Sequence, residues 1–565
     1  MEFEDILKNV GDFGWYQKFL LVVFLVPTYL FIPWVSLNAI FISATPQHWC
    51  YVPEVHSSNL STDEQKYLIR PPQDPSCSRY DVNYTGVLHS DNITVDESWS
   101  VIECDLGWQY DNTHYDETAV TKVRNFMLSS LINSILIRCQ LLRQLSFCRC
   151  GRKPTFLGLT LIVAIAEIGS AFSPSLMLFL VLRIIIGSTM TCLYSLGYII
   201  VLELVSPNIR SRINGVATNC WSLGLCLLPL LAYITRSWVY LSIVMAGASS
   251  ACFLLAYFIL PESPSWLISQ EKYEEAAKIL EKISKMNCQD VSYEELLKNI
   301  QNLEKKKKKI DFKSNSPISL FTYPNMRKRF FFCIIVMIGV SIPYYGLQEN
   351  IVNLSGNEFL NFFFLSLIEI PAHLLTWWLL NKIGRKKTIK FAFIFTIVFC
   401  LIPVFSPQDN SEIQIVVAIC GKAGASAAFM AQYQHCPELV PTPLRGIAMG
   451  FISTIGVGST LFSPFIVGLD KHGSYFPYLV FAIICSACGF CGSFLPETLG
   501  KVLPQSVEDV ENADKHRRSL CTGWCMMKKY DLQDEDSNKS EVSKCKVPNV
   551  TIHLSAHTLN NLKCL

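Results

Sequence analysis

The feature that most constrains the fold is a series of apolar runs, each about as long as a bilayer is thick. Eleven such runs lie at 19–44, 155–173, 176–202, 213–234, 238–260, 330–351, 358–380, 388–406, 413–437, 446–468 and 475–495. A helix needs about 20 apolar residues to cross a hydrocarbon core about 30 Å thick. With half of its 565 residues hydrophobic and only 17% charged, the chain is predicted to be an all-α membrane protein rather than a soluble one.

Three short motifs occur twice, in the same order. The first copies are Gly151-Arg152-Lys153, Glu203 with Arg210, and Pro261-Glu262-Ser263; the second copies are Gly384-Arg385-Lys386, Glu438 with Arg445, and Pro496-Glu497-Thr498. The step from the Glu to the Pro is 58 residues in both copies (261 − 203 and 496 − 438). A membrane protein duplicated in this way is typical of a transporter with a substrate path between two similar halves.

A polar loop at 45–120 follows the first apolar run. It is acidic overall, contains Cys50, Cys77 and Cys104, and has glycosylation sequons at Asn59, Asn83 and Asn92. Sequons are modified in secreted or lumenal segments, and disulfides persist outside the cytosol. The loop is therefore predicted to be extracellular, with these three asparagines as glycosylation sites.

The basic clusters set the number of spans and their orientation. They lie at 149–153, 210–212, 305–309, 382–387 and at Arg445. If a twelfth span exists near 123–148, all of them fall on the face opposite the polar loop, as the positive-inside rule requires. With eleven spans most would fall outside, so twelve spans with cytosolic termini are predicted. The expected segments are a lead at 1–18, a first half at 19–260, a linker at 261–327 with an amphipathic helix at 271–286, a second half at 328–495 and a tail at 496–565.

The repeated charged residues could form a gate that opens and closes the cytosolic side of the transporter. A carboxylate at a helix end and an Arg in the next loop can pair with neighbouring turns when the cytosolic side closes, and such pairs have the strength that a bistable switch needs. The alternative is that these charges only anchor helix ends at the membrane interface. The candidate gating residues are Arg152, Glu203, Arg210, Arg385, Glu438 and Arg445.

Longer motifs resemble one known family. They are Val10-Gly-Asp-Phe-Gly-Trp-Tyr-Gln17, Pro261-Glu-Ser-Pro-Ser-Trp-Leu267, Tyr344-Tyr-Gly-Leu347, Glu369-Ile-Pro-Ala372, Glu438-Leu-Val-Pro-Thr-x-x-Arg445 and Pro496-Glu-Thr-Leu-Gly500. Over about 5–120 and 151–505 the chain resembles the organic cation, organic anion and carnitine transporters, solute carrier family 22. The resemblance implies a major facilitator fold with two six-helix halves, which moves amphiphilic organic ions across the plasma membrane by alternating access.

The resemblance also implies where substrate binds. The residues concerned are Tyr194 and Tyr198 in the fourth span, Tyr344 in the seventh, Glu369 in the eighth and Lys422 in the tenth. Aromatic faces suit organic cations, although aromatic side chains in spans also simply pack. Glu369 is expected either to attract a cationic group or to form a helix–helix hydrogen bond. Lys422 is expected to pair with Glu369 or with a carboxylate on the substrate.

The cue for substrate charge is missing from the eleventh span. Cation-transporting members of the family resemble one another in an Asp there, and anion and carnitine members often have an Arg. Here the position holds Val457, which leaves a zwitterion, a weak base or a neutral amphiphile open. Two further span residues, His373 and His435, are predicted to be polar packing residues rather than proton relays.

The second span departs from the pattern. Arg138 and Arg143 interrupt the stretch 123–150, and the acidic residue that the family carries before Gly151 is absent; Asn381 replaces its counterpart in the second half. One interpretation is a reading-frame or splice error in this stretch. The other is that the stretch is native and transport is weak.

Three functions compete. The leading one is a transporter of organic cations or carnitine-like zwitterions, the second is an organic anion transporter, and the third is a non-transporting membrane scaffold or sensor. An enzyme is not expected, because the chain has no metal-ligand spacing, nucleophile motif or phosphate loop. The expected partners are small organic ions and the lipid bilayer, with no nucleic acid, no metal and no cofactor.

Overall fold

The structure is a computed structural model that describes residues 3–58, 60–71, 76–88, 95, 99–123, 151–289, 291–307, 319–405, 411–441, 444–500, 504 and 507–511. The helices and strands between Phe3 and Gly492 all belong to one compact unit, Met1–Val510. We keep the numbering of the twelve predicted spans. The loop face is the end of the helix bundle that carries residues 45–118, and the motif face is the opposite end, where spans 3 and 9 begin.

Each of the eleven apolar runs forms a helix. In the first half these are span 1 (Trp15–Leu20, a π-helical turn at Leu21–Leu25, Val26–Leu37 and Ala39–Ile42), span 3 (Arg152–Ala171), span 4 (Leu176–Leu202), span 5 (Pro207–Thr235) and span 6 (Trp238–Ile259). The second half has span 7 (Pro324–Glu349, then a 3-10 turn at Asn350–Asn353), span 8 (Glu358–Leu367 and Glu369–Lys382), span 9 (Arg385–Phe405), span 10 (Ser411–Leu439), span 11 (Arg445–Gly458, Ser459–Phe462, Ser463–Val467 and a 3-10 turn at Gly468–His472) and span 12 (Phe476–Gly492).

Ten of these helical spans are long and apolar enough to cross a membrane, and Phe476–Gly492 is a shorter apolar helix. The counts refer to the described ranges only. The predicted second span, with its interrupting Arg138 and Arg143, lies outside the described residues except for its first residue. The prediction of an all-α membrane protein is confirmed.

Proline and glycine shape the spans that form the centre. Pro371 has no N–H to donate to the carbonyl group four residues earlier, and the span 8 helix is divided at Ile368, so that its second segment begins with Glu369. At Gly224 in span 5, a Cβ would collide with the backbone of span 1 at Leu30. Trp34 of span 1 donates to the Gly224 carbonyl oxygen at 2.8 Å. Small residues allow this kind of close helix packing in membranes.

The loop after span 1 forms a small structure of its own. Two antiparallel pairs of strands, His48–Cys50 with Trp108–Tyr110 and Ser78–Tyr80 with Val101–Glu103, accompany helices at Pro53–His56, Thr62–Ile69, Tyr84–Leu88 and Ala119–Val123. The Cys50–Cys104 disulfide joins the two strand pairs, and Cys77 does not take part in it. Asn83 is exposed, whereas the sequons at Asn59 and Asn92 begin outside the described residues.

Further helices lie on the motif face. They are Phe3–Gly11 at the start of the chain and Pro264–Ser269, Tyr273–Met286, Tyr293–Lys307 and Ser319–Thr322 in the linker. The amphipathic helix predicted at 271–286 is confirmed as Tyr273–Met286, and it buries Ala276, Leu280 and Ile283. These residues belong to the same core cluster as Ile6 of the first helix.

Candidate functional site

A buried ion pair joins spans 8 and 10 of the second half. Lys422 Nζ of span 10 is 3.1 Å from Glu369 Oε1 of span 8, and neither side chain has exposed surface. The same ammonium group donates to the Tyr344 carbonyl oxygen at 2.8 Å and lies 3.3 Å from the centre of the Tyr344 ring. Of the two partners predicted for Lys422, the structure has Glu369.

Hydrogen bonds connect this pair to the first half. Ser222 Oγ of span 5 donates to Glu369 Oε2 at 2.8 Å and is 3.2 Å from His373 Nδ1. Next to it, Trp221 Nε1 donates to the Tyr344 hydroxyl at 2.9 Å. Span 5 belongs to the first half and spans 7 and 8 to the second, so the cluster lies where the two halves meet. Substrate sites of duplicated transporters lie at such an interface.

Aromatic rings surround the junction. Tyr194 of span 4 makes an edge-to-face contact with Trp221 at 5.5 Å and lies 6.1 Å from Tyr433 of span 10. Its carbonyl oxygen accepts a 2.8 Å hydrogen bond from Tyr29 of span 1. On the other side, Tyr344 stacks on Phe429 at 4.9 Å. A group of ring faces beside a carboxylate is suited to an organic ammonium group.

A second carboxyl group, Glu349, lies near the cluster. It is five residues past Tyr344 on span 7, towards the loop face. In the stretch 341–350 only Tyr345 and Glu349 are partly exposed, and the other residues are buried. Glu349 interacts electrostatically with Lys422 and with Tyr345. Its Oε2 atom is buried and has no hydrogen-bond partner among the described residues.

Two predicted substrate residues lie at the edge of this arrangement. Tyr198, one turn after Tyr194, is partly exposed and interacts electrostatically with Arg210, towards the motif face. Val457 is partly exposed in span 11, and its carbonyl oxygen accepts a hydrogen bond from Thr460 at 2.7 Å. Within the described part of the chain, no hydrogen bond or ring contact joins Val457 to the central cluster.

Sequence reasoning missed several residues that the structure brings together here. Trp221 and Ser222 lie beside Asn219 in span 5. This polar interruption of an apolar helix is a sequence feature from which the two residues could have been predicted. Glu349 lies at the end of the run 330–351, where a charge is easily assigned to the membrane surface. Phe429 and Tyr433 carry no sequence signal that distinguishes them from ordinary packing residues.

The predicted gating charges pair within each half. Arg152 Nη2 lies 3.2 Å from Glu203 Oε1, and Arg385 Nη2 lies 3.0 Å from Glu438 Oε1. In the first half the pair connects the start of span 3 to the end of span 4, and in the second half it connects the start of span 9 to the end of span 10. Arg210 lies in the first turn of span 5 and Arg445 is the first residue of span 11, so neither lies in the loop that the sequence predicted, and both are partly exposed. A gating role for these six residues remains a prediction.

The repeated Pro-Glu motif caps a helix in each half. Glu262 Oε1 accepts the Arg152 amide at 2.8 Å, and Glu497 Oε1 accepts the Arg385 amide at 2.8 Å while its Oε2 accepts Lys386 at 3.1 Å. A carboxylate at a helix N-terminus is stabilised by unpaired amides and by the helix dipole. Burial raises the pKa of Glu497, but the amide donors together outweigh it and hold the pKa below its usual value of 4.5.

Aromatic contacts also join the halves at the loop face. Phe359 at the start of span 8 stacks on Phe41 of span 1 at 5.5 Å and lies 5.4 Å from Tyr115. The Tyr115 hydroxyl donates to Glu358 Oε2 at 3.1 Å. The two halves therefore touch both at the centre and at the loop face.

Comparison with known proteins identifies relatives along most of the chain. A family model described as sugar (and other) transporter matches residues 100–509. Organic cation transporter 1 of Caenorhabditis elegans is 28% identical over 91% of this chain and 89% of its own length. The carcinine transporter of Drosophila melanogaster is 29% identical over 91% of this chain and 80% of its own length. Rat solute carrier family 22 member 3 is 28% identical, with coverages of 92% and 97%.

Solved structures share the fold. A proton:xylose symporter of the major facilitator superfamily aligns with a TM-score of 0.54 at 18% identity and covers 88% of this chain and 99% of its own. The predicted major facilitator fold is confirmed by this likeness.

Proposed function

Because the chain belongs to the sugar (and other) transporter family, we propose that it carries organic cations or carnitine-like zwitterions across the plasma membrane by alternating access. The family consists of transporters, so the chain is a transporter rather than an enzyme. The relatives named above include transporters of organic cations and of carcinine, and a further relative in Drosophila melanogaster is a beta-alanine transporter. These names favour substrates with an ammonium group.

One observation carries the substrate proposal: the buried Glu369–Lys422 pair lies under the Tyr344 ring at the junction of the halves. An ammonium group that enters the junction can interact with Glu369 and with aromatic faces. The carboxylate of a zwitterion can take the place of Glu369 beside Lys422. Ionisable residues inside a membrane are costly, and they usually mark substrate paths.

The same contacts support alternating access. The Ser222–Glu369 and Trp221–Tyr344 hydrogen bonds join span 5 to the second half, so a rocking motion of the halves changes them. Hydrogen bonds contribute about 0.5–1.5 kcal/mol each, and those to charged groups about 1.5–3 kcal/mol. A substrate bound at the same place can offset such terms and shift the balance between the two conformations.

We further propose that the loop face is extracellular, that both termini are cytosolic and that Asn59, Asn83 and Asn92 are glycosylated. The Cys50–Cys104 disulfide supports this orientation, because disulfides persist outside the cytosol. The exposed position of Asn83 is compatible with its modification.

Uptake into cells that express the chain tests the function. The panel contains a labelled quaternary ammonium ion, carnitine and an anionic dye, and surface biotinylation measures the amount of transporter. We expect the first two compounds to accumulate, and we expect Glu369→Gln to reduce their uptake. Glu412→Gln, at an exposed position, serves as the matched control. Uptake of the dye alone would favour an anion transporter, and uptake of none would favour a scaffold.

A further inference from the structure

We propose that Glu349 releases a proton when the substrate cation binds, so that transport is a one-for-one, electroneutral exchange of cation for proton. The proposal rests on the function proposed above and adds ion coupling to it.

The first support is that, among the described residues, Glu349 has no counter-ion of its own. Lys422 is the positive group with which it interacts, and that ammonium lies 3.1 Å from Glu369. Its Oε2 atom is buried without a hydrogen-bond partner among the described residues. In the described part of the chain, the other titratable group that interacts with Glu349 is Tyr345 on its own helix; from span 12, Tyr478 interacts with the adjacent Asn350. Neither tyrosine is positively charged.

The second support is the cost of an unpaired charge inside a membrane span. Glu349 is partly exposed, but its Oε2 atom is buried. An isolated carboxylate inside a protein within a membrane is so unfavourable that the group takes up a proton instead. In the proposed cycle, Glu349 carries a proton in the empty site, and the charges of Glu369 and Lys422 cancel each other. When a monovalent cation arrives, the O–H bond of Glu349 breaks, the electron pair stays on the oxygen, and the proton passes to water on the open side. The charge of the site sums to zero in both states.

The third support is the position of Glu349. It lies on span 7 between the Tyr344 cluster and the loop face, one turn after Tyr345, and these two residues are the partly exposed ones in a buried stretch. Tyr345 interacts with Tyr433 of span 10 and with Glu349. The carboxyl group is thus at the edge of the aromatic cluster, where an incoming ammonium group can reach it.

Proteoliposomes that contain the purified full chain and an internal pH dye test the proposal, with labelled tetraethylammonium as the probe. For the wild type we expect that an acidic interior accelerates uptake, that external tetraethylammonium raises the internal pH, and that an imposed membrane potential changes the rate little. In Glu349→Gln the cation has no proton to exchange. Exchange of labelled for unlabelled probe should persist at a rate reduced by about tenfold, proton movement should disappear, and uptake should follow the membrane potential.

Two controls make the outcome decisive. Glu349→Asp keeps the carboxyl group and should keep proton movement, and Glu412→Gln should behave as the wild type. A wild type that exchanges the probe without proton movement would overturn the proposal, and so would proton movement that survives in Glu349→Gln. A wild type that does not exchange the probe at all would instead overturn the function proposed above.

Discussion

Glu369 and Lys422 have no exposed side-chain surface, so each would be an unpaired buried charge without the other. Removing one partner of such a pair typically costs about 3–5 kcal/mol, whereas replacing both partners is often much less harmful. The stability of the fold therefore depends on whether the two charges are kept together or removed together, rather than on either residue alone. The difference between single and double substitutions can be measured.

We predict that Glu369→Gln and Lys422→Met each lower the thermal stability of the detergent-purified protein, and that the double variant is destabilised by less than the sum of the two. The physical reason is that the second substitution removes the charge left alone by the first. Thermal unfolding of the four proteins measures this, with the exposed Glu412→Gln as control. Strictly additive losses would contradict the pairing.

At this scale the sequence predicted part of the central cluster. Glu369 and Lys422 were identifiable because charges within apolar runs need partners. The contact of Trp221 with Tyr344 was not, because it depends on how span 5 meets span 7. Val457 was assigned to a family position by counting residues along span 11. Such a count does not show which neighbouring side chains Val457 contacts.

At the scale of elements, the duplicated turns perform the same task twice. Glu262 caps span 3 and Glu497 caps span 9, while Arg152–Glu203 and Arg385–Glu438 tie adjacent spans. The sequence indicated the repetition but not these partners, since spacing does not reveal which turns are neighbours. The helices themselves were predictable, because each apolar run has the length of a membrane span.

We predict a pH-dependent effect of Glu497→Gln. The folded protein holds the pKa of Glu497 below 4.5, so the charged cap stabilises the fold above that pH and loses this contribution as the pH falls through the folded value. The variant should be less stable than the wild type at neutral pH, and the gap should shrink below 4.5. Thermal unfolding across this pH range tests it; a gap that stays constant would contradict the charged cap.

The Asn287 side chain forms four hydrogen bonds between the linker and the start of the chain. Asn287, directly after the helix Tyr273–Met286, donates to Val10 O at 3.1 Å, Gly11 O at 3.2 Å and Gln17 Oε1 at 3.0 Å, and it accepts from the Tyr16 amide at 3.0 Å. These bonds fix the motif Val10–Gln17 and the linker helix to each other. A Cβ at Gly14 would collide with the Asn287 side chain.

We predict that Gly14→Ala and Asn287→Ala each reduce the amount of folded protein at the surface. In the Asn287→Ala background, Gly14→Ala should cost less, because the atoms that it strikes are gone. Gly446→Ala, which has open space around it, is the matched control. Surface biotinylation and size-exclusion profiles measure the result, and equal costs of Gly14→Ala in both backgrounds would count against the contact.

At the scale of the whole molecule, the two halves meet through span 5 at the centre and through Phe359 at the loop face. The duplication in the sequence predicted two halves with a site between them, and the family match and the shared fold agree with that architecture. The particular contacts could not be predicted, because they depend on how far the halves are rotated. A centre that joins the halves and, as proposed, binds the substrate can couple binding to rocking.

Substrate counterflow in proteoliposomes is the sharpest test of alternating-access transport of organic cations by this chain. Vesicles with the full chain are loaded with unlabelled tetraethylammonium, and the uptake of the labelled ion is followed at equal pH on both sides and without a membrane potential. An alternating-access carrier of organic cations predicts a transient accumulation of label above equilibrium, which excess external carnitine or another ammonium substrate reduces. Label that only equilibrates, at the same rate in loaded and unloaded vesicles, would contradict the account.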